Sequence, residues 1–169
     1  SANVGTMDPS KTTAAIDFNY LQAIGEGLYR MDKSGKPQLA GATSVDKSDD
    51  GLTLTYHLRD MKWSNGDDVT ADDYVYGWQR TNDPKTASQY AYLYSGIKNA
   101  DAVQDGDKPV TDLGVKAIDD HTLEVTLDRP MPQLESVLTM ATFEPQNKKF
   151  VDKVGKKYGT AAKYTLSNG

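Results

Sequence analysis

The sequence predicts an α+β fold, mixed, with an antiparallel sheet and flanking helices. Two segments alternate apolar and polar residues. In 52–58, Leu52, Leu54, Tyr56 and Leu58 are separated by Thr53, Thr55 and His57; in 121–127, Leu123, Val125 and Leu127 are separated by Glu124 and Thr126. Strands with this period bury one face, the habit of antiparallel sheet. Between them, Tyr74, Val75 and Trp78 share one face of a helical repeat that starts at Thr70. Both periods in one short chain give the mixed class.

The elements follow in order. Asp8-Pro9 marks a turn. Thr12 or Thr13 is placed to cap a helix with Ile16, Tyr20 and Ile24 inward and Leu21 beside them, ended by Gly25 and Gly27. Residues 28–31 read as a short strand, Ser34-Gly35 as a turn and 38–44 as a loop. The richest stretch runs from Trp63 to Arg80. Its Asn65-Gly66 pair is a tight turn that needs φ > 0. Thr70 with Asp73 three residues on forms a capping box with Asp in place of Glu. Asp72 and Asp73 lie in the first turn, where the helix dipole favours negative charge.

Asn82-Asp83-Pro84 breaks this helix, and a Tyr-rich segment over 88–97 and a polar loop over 105–109 follow. Arg129-Pro130-Met131-Pro132 stops the second strand. Pro132 then opens a helix with Leu134, Val137, Leu138 and Ala141 inward. Phe150, Val151 and Val154 mark one more short helix.

Composition bounds the function. The chain has 169 residues, 37% hydrophobic and 25% charged, which is globular rather than disordered. A net charge of −5 without a basic stripe argues against nucleic acid. No apolar run is long enough to span a bilayer. With no Cys, a disulfide framework and a thiolate active site are both excluded. Ten Tyr against three Phe is a skew toward rings that suit half-buried rims and binding faces. The chain starts at Ser1 without a charged-then-apolar leader and closes on Ser167-Asn168-Gly169 without a helix stop. It reads as a piece of a longer chain.

No constellation of catalytic residues emerges. His57 sits on the outward face of one predicted strand and His121 begins the other; no nucleophile elbow or His-Glu-x-x-His pattern accompanies them. The pairs Asp49/Asp50, Asp67/Asp68, Asp72/Asp73 and Asp119/Asp120 are sequence neighbours. A glycosidase needs carboxyls converging across a cleft, so turns and helix capping account for these. Asp46, Ser48, Asp50 and Gly51 match the start of a calcium loop, but its twelfth position is His57 inside a strand, which rejects the motif. Gly25-Glu26-Gly27 follows a helix, whereas a phosphate loop precedes one. The expectation is a non-enzyme with no metal and no cofactor.

A series of segments, in order along nearly the whole chain, resembles the oligopeptide-binding branch of the extracellular solute-binding proteins that serve ABC importers. Thr6-Met7-Asp8-Pro9 and the region 21–28 are similar to its opening segments. Gly35-Lys36-Pro37 with Leu39-Ala40 resembles its hairpin. The strand at 52–59, the turn Met61-Lys62-Trp63-Ser64-Asn65-Gly66 and the helix from Val69 to Arg80 follow. Asp83-Pro84-Lys85-Thr86-Ala87-Ser88, 90–100 and 113–123 complete the series.

The resemblance implies one part of a larger, periplasmic-binding-protein-like two-lobed fold. Residues 1–40 would be the N-terminal segment of the main lobe, 41–166 an accessory α+β domain, and 167–169 the return toward the main lobe. It implies capture of oligopeptides outside the cell and delivery to ABC permease subunits. The parent would be a monomer, lipid-anchored at the cell surface or periplasmic. A peptide pheromone receptor or a surface adhesion protein is the alternative on the same fold. In such proteins a peptide is held like an added strand through its main chain. The matching strand here is Ala2, Asn3, Val4, Gly5 and Thr6, and Asn3 stands where an acidic residue is frequent.

Overall fold

The computed structural model describes residues 5–169. In chain order its main elements are α1 (Ala15–Ile24), β1 (Tyr29–Met31), β2 (Pro37–Leu39), β3 (Ala42–Lys47), β4 (Thr53–Leu58), α2 (Ala71–Asn82), α3 (Ala100–Gln104), β5 (Val115–Asp119), β6 (Thr122–Thr126), α4 (Leu134–Val137) and α5 (Lys148–Val154). β1 and β2 form a two-stranded ribbon. The other strands form an antiparallel sheet in the order β3-β4-β6-β5.

The two alternating segments are neighbours at the centre of this sheet. Leu54 faces Val125 and Tyr56 faces Leu123 across the β4–β6 ladder. All four are buried, as are Leu58 and Leu127. Apolar residues on one face of adjacent central strands make a continuous floor.

The Asn65-Gly66 turn aims α2 at this floor. Gly66 has φ +93°, a conformation that a side chain disfavours. At the helix start, Asp73 Oδ2 accepts from Thr70 N–H at 3.1 Å and from Trp63 Nε1–H at 2.8 Å. One carboxylate thus joins the turn to the helix. Tyr74 and Trp78 are fully buried one turn apart. Trp78 lies edge-on to Tyr94 and Phe143, whose rings stack at 4.0 Å, and its indole N–H donates to the Phe143 carbonyl at 2.9 Å. Edge and stacked ring contacts with the indole donor satisfied make this an aromatic centre of the core.

Gly77, inside α2, is required by packing. A Cβ there would lie 2.9 Å from the Glu144 carbonyl oxygen and 3.2 Å from Gln146 N. The 144–146 segment crosses the helix at backbone distance, and Gln146 N–H donates to the Asp73 carbonyl at 3.0 Å.

Three expectations are corrected. The first concerns α1. Its buried residues are Asp17 and Leu21, while Ile16 and Tyr20 are 47% and 39% exposed, and no threonine side chain caps it. Its N-cap is Ala14. Asp17 is drawn inward because its carboxylate accepts backbone N–H groups, and that rotates the apolar pair Ile16/Tyr20 to the surface. The second concerns 38–44, read as a loop, which contains the end of β2 and the start of β3. The third is β5, not recognised as a strand. β3 and β5 are the two edges of the sheet, and only one residue of each is buried, so neither shows alternation.

The last residues of the chain are tied to the end of α1 and the segment just after it. Asn168 donates from Nδ2 to the Glu26 carbonyl at 2.9 Å and accepts from Glu26 N–H through Oδ1 at 2.9 Å. Gly169 N–H reaches the Ile24 carbonyl at 3.2 Å.

Candidate functional site

Of the five residues expected to pair with a peptide main chain, Ala2, Asn3 and Val4 lie outside the described residues. Gly5 and Thr6 lie within them. Gly5 N–H points at both carboxylate oxygens of Asp17, each at 3.2 Å, and Thr6 N–H at Oδ2 at 3.3 Å. Asp17 is 2% exposed. These two donors are used inside the chain, and the carbonyls of Gly5 and Thr6 are the groups left over among the described residues.

The next stretch is fixed from below. Met7 N–H donates to the Gly159 carbonyl at 2.8 Å. Asp8 takes two bonds from Arg80, and Ser10 Oγ sits 2.8 Å from both Thr81 Oγ1 and Gln146 Nε2. Every one of these polar side chains apart from Arg80 is buried, so the bonds replace solvation that folding removes.

Directly after this anchor the chain opens. Thr13, Ala14 and Ala15 are exposed, and Ala14 is extended, with φ −88° and ψ 137°. The N–H groups of Thr13, Ala14 and Ala15 have no partner among the described residues. Ala15 is the first residue of α1, so the open donors include those that any helix start leaves unpaired, and a carbonyl of another chain can pair with them. Beside it, Thr12 is buried with an unpaired hydroxyl among the described residues.

One turn along α1 from Ala14 a group of aromatic rings begins. Phe18 meets Tyr90 edge-on at 5.2 Å, and Tyr90 lies 6.1 Å from Tyr92, which is 61% exposed. Gln104 holds the loop that carries these rings, donating from Nε2 to the Ala91 carbonyl and to Asn82 Oδ1, both at 2.8 Å. Rings of this kind supply apolar contact with little side-chain selectivity. The Tyr skew hinted at such a face. The backbone edge left no mark in the sequence, because Thr13, Ala14 and Ala15 act through groups that every residue has.

A second polar feature lies at the far end of α1. Glu144 is 5% exposed and lines a cavity of about 180 Å³ with Gln22, Glu26, Tyr29 and Thr139. Burial, reinforced by the charge of Glu26, holds its carboxyl well above the usual carboxylate range. Glu26 is itself paired with Arg59. A larger open hollow of about 630 Å³ beside β5 is lined by scattered residues such as Asp72, Gln79, Lys98 and Glu124, without a convergent set.

The imidazoles stand apart from all of this. His57 Nε2 lies 2.7 Å from Asp46 and His121 Nε2 lies 2.9 Å from Asp60, both at exposed positions. Among the described residues no hydroxyl bonds either ring. The aspartate pairs do turn and cap work as expected. Asp50 accepts from Ser48 Oγ and Leu52 N–H, and Asp119 from His121 N–H. Among the described residues no group of three potential ligands could hold a metal ion.

Comparison with known proteins places these features in a family. Residues 36–169 match the bacterial extracellular solute-binding proteins, family 5 Middle. The chain is 42% identical over 168 residues to the dipeptide-binding protein of Lactococcus lactis subsp. cremoris, covering 99% of this chain and 30% of that one. The substrate-binding domain of an oligopeptide ABC transporter from Bacillus anthracis superposes with a TM-score of 0.96 at 50% identity, over 98% of this chain and 32% of that one. Listeria monocytogenes OppA bound to peptide superposes with a TM-score of 0.98 at 44% identity, over 100% and 34%. The chain therefore spans about a third of the length of these relatives. With its mixed helix and antiparallel-sheet architecture, this chain belongs to the bacterial extracellular solute-binding proteins of family 5.

Proposed function

We propose that this chain is part of a receptor that captures oligopeptides outside the cell and delivers them to a membrane permease driven by ATP hydrolysis elsewhere. The observation that carries this reading is the open backbone at Thr13, Ala14 and Ala15 beside the Phe18, Tyr90 and Tyr92 rings. Main-chain pairing tolerates many peptide sequences, and exposed rings add contact without strict selection. The segment from Ala2 to Thr6 is proposed to pair with the peptide main chain as well. With Gly5 and Thr6 N–H engaged by Asp17, it would contribute carbonyl acceptors.

The receptor is non-catalytic on this reading. The parent protein is monomeric and either periplasmic or lipid-anchored at the cell surface. Residues 1–40 belong to the main lobe, 41–166 form the accessory domain and 167–169 lead back to the main lobe. The Asn168–Glu26 pair supports that return, since it brings 168 beside the N-terminal segment.

Native mass spectrometry of the full-length parent, as purified from cells, tests the proposal. A ladder of bound peptides of mixed mass is expected. One discrete ligand mass would assign a pheromone-type receptor instead. A cleft that stays empty with added peptides would overturn peptide capture altogether.

A further inference from the structure

The chain is acidic, yet its charge is unevenly spread. Between 148 and 163 stand Lys148, Lys149, Lys153, Lys156, Lys157 and Lys163, with Asp152 as the one acid. Thirteen basic and twenty-three acidic residues make up the rest of the chain. All six lysines are exposed.

Local structure gathers them. Lys149 and Lys153 are one turn apart on α5, whose Val151 is buried. Lys156 and Lys157 lie in the 3-10 turn that follows directly, Gly155–Lys157. Lys157 and Lys163 both sit on the Tyr164 ring, with ammonium-to-centroid distances of 5.4 and 5.1 Å. Lys148 lies 5.9 Å from the centroid of Tyr76. Among the described residues only Lys148 forms an ion pair, with Asp152, and Lys149 is near enough to Asp67 to help lower its pKa. A like-charged group of this size repels itself, and the single acid among the lysines, Asp152, offsets only one of the six charges.

We propose that the lysine face of 148–163 is a contact surface for an anionic phospholipid bilayer. The face joins clustered ammonium groups to tyrosine rings, the pairing that suits the headgroup layer, where rings sit at the interface and cations meet phosphate. No helix among the described residues is long and apolar enough to cross a membrane, so the contact is peripheral. The inference rests on the reading of the parent as a receptor held near a membrane, and it assigns the surface that lies toward the lipid.

Vesicle sedimentation of the 169-residue chain tests this. Vesicles of 30% phosphatidylglycerol in phosphatidylcholine are expected to carry the chain down at low salt and to release it in 0.5 M NaCl, by screening; these are assay conditions set at about the level where such surface charge is screened. Each lysine contributes roughly a five-fold factor, so K149Q/K153Q/K156Q is expected to weaken binding about 100-fold. K33Q/K36Q/K47Q removes the same charge elsewhere and is expected to leave binding in place. Equal binding to pure phosphatidylcholine, no binding at low salt, or equal loss in both triple variants overturns the proposal. So does capture by soluble polyphosphate that fully displaces the vesicles at equal phosphate. Peptide occupancy of the full-length parent is an independent readout, so failure here is distinguishable from failure of the receptor reading.

Discussion

Arg80 grips Asp8 with both arms of its guanidinium, Nη1 to Oδ1 at 2.6 Å and Nη2 to Oδ2 at 2.7 Å. The Asp8 side chain is 3% exposed and that of Arg80 16%. The pair clamps the coil before the open edge onto α2. Tyr158 closes over the guanidinium at 5.3 Å. Asp8→Ala would strand a largely buried cation, and breaking such a pair from one side costs about 3–5 kcal/mol. Urea melts should show that loss. A loss below about 1 kcal/mol would mean that the clamp is replaced by solvent at no cost.

Gly77→Ala sets two effects against each other. Alanine gains about 1 kcal/mol of helix propensity over glycine in a helix interior. Its methyl would meet backbone at the Glu144 carbonyl, 2.9 Å away, with no flexible side chain to yield. Overpacking of that kind costs about 1–3 kcal/mol. The clash is expected to win, giving a lower Tm. A variant more stable than the parent would show that the 144–146 segment moves aside freely.

The central sheet and α2 were legible because their residues have only one stable arrangement. Leu54, Tyr56, Leu123 and Val125 must share a face, and the Thr70/Asp73 pair marks a helix start. The edge strands β3 and β5 were not legible, because pairing rather than burial defines them. In α1, Ile16/Tyr20 and Asp17/Leu21 are equally good helical pairs by spacing. What decides between them is a carboxylate satisfying Gly5 and Thr6 N–H, a contact that spacing alone does not encode. The candidate edge was half legible. Its rings show in the composition, whereas its unspent donors are defined by partners they lack.

Glu144 gives a pH signature. Its folded-state pKa is raised above its ordinary value of 4.5 by burial and by Glu26. Between those two pKa values the native state keeps a proton that the unfolded state has released. Stability therefore falls as pH rises through that window. Glu144→Gln removes the titration. Relative to the parent it is expected to gain stability as pH rises from about 4.5, with no gain below. Thermal melts of both proteins from pH 4 to 8 check this, and parallel pH profiles would show that Glu144 is solvated.

The open edge makes the sharpest demand. Ala15→Pro deletes the N–H of the first residue of α1, a donor with no partner among the described residues. Proline is favoured at this helix position, and the extended Ala14 before it has the backbone that a following proline requires. The fold should therefore keep its stability, or gain about 0.4–1 kcal/mol through the stiffer unfolded chain. A peptide whose carbonyl pairs with this N–H would lose one hydrogen bond, about 1 kcal/mol or roughly five-fold in Kd. Calorimetric titration of the full-length parent and its variant with a tetrapeptide measures that ratio, and a thermal melt measures the rest. Weakened binding with an intact Tm places the peptide on this edge. Unchanged binding with an intact Tm places it elsewhere, and the rings of Phe18, Tyr90 and Tyr92 would then need another role.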